Sequence, residues 1–206
     1  TVERHKFRAG RIVEVPGVGV DLSRIDAACD AGCRADLRVA HGYGTEDYLL
    51  FYAAELSDRK NQRMLLDVLE RLIPRIPGVR LILAGRDLLE GALQAEAVER
   101  GLAERLDFLG HREDIPEGLL LVDVVVASSR QEGLPVNLIE AMACGRPVVA
   151  TAVRGHVDLI DHEINGLLVP PGDADTMAEA VGFLQNHPEA AEAMAAQAIE
   201  DARRYS

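Results

Sequence analysis

Two glutamates, Glu132 and Glu140, stand with seven residues between them in the stretch SSRQEGLPVNLIEAMACG, on either side of a Gly-Leu-Pro turn. An ionised carboxylate only accepts hydrogen bonds, so a pair at this spacing suits a ligand rich in hydroxyls, such as a sugar. Gly133 relaxes the backbone, Pro135 suits the first helical position, and residues 137 to 143 read as helix. A helix that starts there presents backbone N–H groups and the positive end of its dipole, which together make a site for an anion such as phosphate. A plainer reading fits the same residues: Glu132 complements the helix dipole and Glu140 is a solvated helix residue.

The remainder of the chain has to position that turn. Its 206 residues, 48% of them hydrophobic, are enough to bury a sizeable core as one large α/β domain. Charged residues make up 27% of the chain and the mean hydropathy is +0.02, ordinary values for a globular protein. No apolar run approaches the ~20 residues that a bilayer-spanning helix needs. With 34 acidic against 22 basic residues and a net charge of -12, a nucleic-acid partner is disfavoured, because such binding works by neutralising phosphates. A local basic pocket remains compatible with that total.

Cys29, Cys33 and Cys144 form an odd set without metal-site spacing and without a secretory pattern ahead of them. They point to a reducing compartment, the cytoplasm. Cys29 and Cys33 could share a helical face and touch a metal, but small apolar filler is the plainer role, and no metal is assigned. His5, His41, His156, His162 and His187 show no ligand spacing either, and of these His156 lies in a candidate ligand-facing turn. The chain opens on TVERHKFRAG without an initiator Met and stops at RRYS, so it is expected to be a piece of something longer.

Short β-branched or Leu-rich runs recur at 11–15, 48–54, 79–85, 105–110, 122–129 and 146–151, and read as buried parallel strands. Between them lie amphipathic segments such as KNQRMLLDVLERLI, LLEGALQAEAVERG ending on Gly101, and LIEAMACG ending on Gly145. The alternation predicts one doubly wound parallel sheet, Rossmann-like, with helices on both faces over residues 1–206. Ligands of such sheets bind beyond the carboxyl ends of the strands. That directs attention to the turns VPGVGVD, ELSDRKN, AGRD and SSRQEGLPVN. The Ala-rich EAAEAMAAQAIEDARR reads as a surface helix.

The phrase EGLPVNLIEAMACGRPVVAT resembles the signature of the carboxyl-terminal domain of GT-B-fold retaining glycosyltransferases, glycosyltransferase family four, with Leu134 and Pro135 where Phe and Gly are usual. The likeness continues, in order, through PGVGVDLSRI, LILAGRD, LDFLGHRED, VDVVVASSRQEG and INGLLVPPGD. The phrases AELSDRKNQ and VRGHVDLIDHEINGLLVP look most like the subgroup that builds bacterial capsular polysaccharides and exopolysaccharides.

The resemblance implies a nucleoside diphosphate sugar as donor, with UDP the expected nucleotide, no required cofactor, and transfer to a glycan or lipid-linked acceptor. That acceptor would be held by an amino-terminal domain outside this chain, working in the cytoplasm or at the inner face of the membrane. By the same resemblance Glu132 meets hydroxyls of the donor sugar and Glu140 meets the ribose. The turn Gly133, Leu134, Pro135 and Val136 meets the pyrophosphate, Lys60 neutralises the leaving diphosphate, and His111 and Arg112 lie near the base. A fixed ammonium and helix N–H groups would then stabilise charge as it develops on departure. The family pattern has Arg five positions before the Lys, where this chain has Glu55. Arg59 and Arg154 are the candidates to supply that charge. Two other readings stay open: a module that binds nucleotide sugars without transferring them, and a UDP-sugar 2-epimerase of the same fold.

Overall fold

The computed structural model describes residues 34–205 together with 20, 21, 23 and 25. The run at 11–15, the turn VPGVGVD up to Gly19, His5, Cys29 and Cys33 lie outside the described residues.

Among the described residues, six short strands form a single parallel sheet. They are β1 (Tyr48–Ala53), β2 (Val79–Ala84), β3 (Leu106–Gly110), β4 (Val124–Ala127), β5 (Val148–Thr151) and β6 (Leu167–Val169). Their order across the sheet is β3-β2-β1-β4-β5-β6. All five neighbouring pairs run parallel. Every side chain of β4 and β5 is buried, as expected of strands covered on both faces. The five expected runs that fall in the described region all appear as strands. The three-residue β6 was too short to stand out as a run of its own.

The helices are α1 (Arg34–Ala40), α2 (Gln62–Leu72), α3 (Ala92–Glu99), α4 (Ile115–Leu121), α5 (Val136–Ala143), α6 (Ala174–Asn186) and α7 (Pro188–Ala202). The apolar stripe of α2, with Met64, Leu65, Val68, Leu69 and Leu72, is buried as its periodicity predicts. Gly101 and Gly145 close α3 and α5 with φ of 70° and 62°, left-handed angles that a glycine adopts without strain.

The Ala-rich segment is a surface helix, exposed at Glu189, Glu192, Gln197 and Glu200, and its other face is covered. In α7, Ala191, Met194, Ala195, Ala198 and Ala202 are buried, and the helix packs on α5. The Ile199 side chain of α7 packs onto the glycine that closes α5: a Cβ built on Gly145 would stand 3.0 Å from Cδ1 of Ile199.

Strand order reverses between β1 and β4. The chain winds outward one way through β2 and β3, then returns across β1 and winds the other way through β5 and β6. Right-handed crossovers put the two sets of helices on opposite faces, and the loops after β1 and β4 part to leave a crevice. The expected doubly wound α/β architecture is therefore the observed one, and its switch point falls between ELSDRKN and SSRQEGLPVN.

Candidate functional site at the β1–β4 switch point

The two loops at the switch point are joined by their own backbones. Arg130 N–H donates to the Arg59 carbonyl at 2.8 Å, and the Ser128 hydroxyl donates to the Lys60 carbonyl at 2.9 Å. Asn61 takes a left-handed φ of 54° just before α2, and its side-chain oxygen accepts from Arg130 at 3.0 Å. Gln62 is almost fully buried and donates back to the Glu55 carbonyl at 2.8 Å. Lys60, 72 positions away in sequence, is thereby set within 2.5 Å of the Glu132 carboxylate.

Glu132 is one of the few buried charged groups among the described residues, with 8% of its surface exposed. Its Oε1 accepts from Lys60 Nζ at 2.5 Å and from the Ser129 hydroxyl at 2.5 Å, while Oε2 accepts from Arg59 at 3.4 Å. Burial pushes its carboxyl upward, but the hydrogen bonds from Lys60 and Ser129 and the Lys60 charge outweigh that and hold it below the usual carboxylate range. Arg59 spans two acids, reaching Glu55 at 3.0 Å as well as Glu132. The Glu55 bond raises the Arg59 guanidinium above its ordinary value.

Behind Glu132 runs a buried polar chain. The Tyr52 hydroxyl lies 2.6 Å from Ser129 Oγ. The Ser129 carbonyl accepts from the Thr151 hydroxyl at 2.6 Å, and the Thr151 carbonyl accepts from His156 Nδ1 at 2.7 Å. His156 therefore carries its proton on Nδ1, and burial holds its pKa below the ordinary imidazole value.

The Gly-Leu-Pro turn differs in one detail from its expected form. Pro135 is the residue that precedes the helix, with φ −82° and ψ 80°, and α5 begins at Val136. Pro135 has no N–H, and Val136 N–H donates back to the Leu134 carbonyl at 3.1 Å. Among the described residues, the backbone N–H groups of Gly133, Leu134 and Asn137 donate no hydrogen bond within the chain. They are the donors available to an anion at this helix start. The turn leans on a second one: Gly155 has φ 86°, and a Cβ built there would fall 2.1 Å from the Gly133 carbonyl oxygen.

Three clefts surround this turn. One, of about 540 Å³, is lined by Glu55, Arg59, Lys60, Glu132 and residues 133–137. It adjoins a cleft of about 550 Å³ that holds Glu140, His111 and Arg112, and the two share Glu55, Val136 and Asn137. Gly85 lines the second cleft, and a Cβ there would meet the Ala54 carbonyl at 1.9 Å. Arg112 in the second cleft is paired with Asp114. The third cleft, of about 930 Å³, holds Arg154 beside Gly133 and Gly155.

The fold thus brings together around one turn Lys60, Glu132, Arg59 and residues 133–136. Glu140, His111 and Arg112 stand on one side of it and Arg154 on the other. Sequence reading did not single out Ser129, Tyr52 or Thr151. Ser129 sits inside the quoted phrase, three residues before Glu132, but nothing in the spacing shows that its hydroxyl turns inward. Among the described residues no group of three or more His, Cys, Asp or Glu is placed to hold a metal ion. No described helix is long and apolar enough to cross a membrane.

The family model for glycosyl transferases group 1 matches residues 47–187, from the edge of β1 to the end of α6. The chain belongs to this family. EpsD of Bacillus subtilis strain 168, assigned to the glycosyltransferases, is 35% identical over 197 residues, which span 96% of this chain and 51% of EpsD. HepE of Anabaena, solved in complex with UDP-glucose, superposes with a TM-score of 0.81 at 29% identity, over 91% of this chain and 52% of that one. The carboxyl-terminal domain of the group 1 glycosyltransferase LpcC from Francisella tularensis shares the fold, with a TM-score of 0.77 at 20% identity over 90% of this chain and 97% of that domain. The chain spans about half the length of the curated relatives it matches. It has the carboxyl-terminal domain fold of the GT-B glycosyltransferases, as its signature phrases implied.

Proposed function

We propose that this chain is the donor-binding half of a retaining glycosyltransferase that takes its sugar from UDP and passes it to a glycan or lipid-linked acceptor in polysaccharide assembly. The observation that carries the reading is the meeting, at the switch point, of the Lys60–Glu132 pair with the undonated N–H groups of Gly133, Leu134 and Asn137. When the donor's C1–O bond breaks, its electron pair passes to the β-phosphate. Lys60 and the turn amides stabilise that charge, the acceptor oxygen bonds to C1, and the acceptor's proton passes to a phosphate oxygen of the departing UDP. Glu132 meets sugar hydroxyls and Glu140 the ribose, with the base toward His111 and Arg112 in the adjoining cleft. Arg59, held between Glu55 and Glu132, supplies charge in place of the Arg that Glu55 replaces. HepE, solved with UDP-glucose, supports a uridine donor, and the AELSDRKNQ and VRGHVDLIDHEINGLLVP phrases support a polysaccharide product.

Calorimetric titration of UDP, GDP and ADP against the chain tests this reading. UDP is expected to bind most tightly, with Lys60→Ala and Glu140→Ala each weakening it by about tenfold, the loss of one charge-assisted hydrogen bond. Equal heats for all three proteins would sink the site assignment. Glu55, a carboxylate among the phosphate-directed cations, favours a second reading in which nucleotide is bound and no sugar is transferred. Release of UDP from UDP-glucose by the complete protein, with and without acceptor, separates the two.

A further inference from the structure

Lys60 and Glu132 are both nearly buried, with side chains 11% and 6% exposed, and each is the other's nearest opposite charge. If Lys60 is to serve a diphosphate, as proposed above, it must loosen its hold on Glu132. Breaking a buried pair from one side ordinarily costs much, because it strands a desolvated charge. Something must keep Glu132 satisfied when Lys60 turns away, and Arg59 at 3.4 Å is too distant to do so alone.

The proton count identifies the group that does. Ser129 has one hydroxyl proton, and at 2.5 Å from Glu132 Oε1 that proton goes to the carboxylate. The Tyr52 hydroxyl, 2.6 Å from Ser129 Oγ, must then donate to Ser129. Burial raises the Tyr52 pKa, so its phenol keeps the proton it gives. Tyr52 is anchored in β1 and Ser129 follows β4, both with at most 1% of their surface exposed, and the Thr151 hydroxyl pins the Ser129 carbonyl. The result is a one-directional chain of donors, Tyr52 to Ser129 to Glu132, reaching the carboxylate from buried residues that line none of the three clefts.

We infer that Ser129, backed by Tyr52, is a positioning residue whose hydrogen bond lets Glu132 release Lys60 to the donor's diphosphate. The inference rests on the donor-binding reading above and adds to it a role for two residues outside the clefts.

A thermodynamic cycle on the full 206-residue chain, with UDP as probe, tests it. Ser129→Ala is expected to weaken UDP binding by about tenfold, the worth of a hydrogen bond to a charged group, and Tyr52→Phe by about threefold. In a Glu132→Gln background no charge is left stranded, so both effects should shrink to within about twofold. Thermal melts confirm that each variant is folded, and Ser129→Thr, which keeps the hydroxyl, should restore binding where Ser129→Ala loses it. A loss that persists undiminished beside Glu132→Gln would show a merely structural role and overturn the inference while leaving the donor-binding reading intact. No effect of Ser129→Ala on UDP affinity would overturn it equally. If the wild-type chain binds none of UDP, GDP and ADP, the donor-binding reading fails and the inference falls with it.

Discussion

Gly155 illustrates how much of this site rests on backbone contact. The left-handed φ of 86° already penalises any side chain, and the Gly133 carbonyl fills the place where a Cβ would go. Gly155→Ala should therefore cost at least about 1–2 kcal/mol of stability from the dihedral alone. It should also push the Gly133 turn outward and weaken nucleotide binding, which a melt and a UDP titration read together. An unchanged melt would mean that the two turns are not in contact. By contrast, the charges that looked most suspect in the sequence are accounted for locally. Glu55 engages Arg59, and Glu132 has partners on both oxygens.

Among the elements, α7 carries the sharpest expectation. Its buried stripe of Ala and Met closes over α5, the helix that starts after the Gly-Leu-Pro turn, so the Ala-rich segment supports the candidate site from outside. Ala198 is fully buried in that stripe. Ala198→Glu would bury an unpaired charge and should lower stability by roughly 3 kcal/mol or more, measured by denaturant unfolding. A loss well under 1 kcal/mol would show that α7 is dispensable packing. Composition gave a surface helix here and no more, because Ala is the best helix former and says little about which face is covered. The strands behaved otherwise, since a continuous apolar run has no polar face and must be buried on both sides.

For the whole molecule, acid stability follows from two kinds of group. His156 is buried with its folded pKa below the ordinary value of 6.5, so protons favour the unfolded chain as pH falls below that point. Glu132, Asp87, Asp114 and Asp173 are held below their ordinary values, so their stabilisation is present above those values and is lost as pH drops through the folded ones. The melting temperature should be level from neutral pH down to about 6.5, decline gently below it, and fall steeply in the carboxylate range near pH 4. His156→Gln should flatten the first decline and leave the second, as scanning calorimetry across pH would show. Identical pH profiles for the two proteins would exclude His156 as the source.

By itself the sequence determined the alternation of strand and helix, the positions of the turns between them, and the family to which the chain belongs. These are local or linear properties: runs of buried side chains, glycines at left-handed positions, and phrases in order. Tertiary structure alone decided that Lys60 and Arg59 face Glu132 and that Tyr52 backs Ser129 behind the carboxylate. The Lys60 and Arg59 contacts at Glu132 join the loops after two different strands, and the reversal of strand order between β1 and β4 brings those loops together. Spacing along the chain encodes no such reversal, because it depends on which strands pair, and that is settled by packing across the whole sheet.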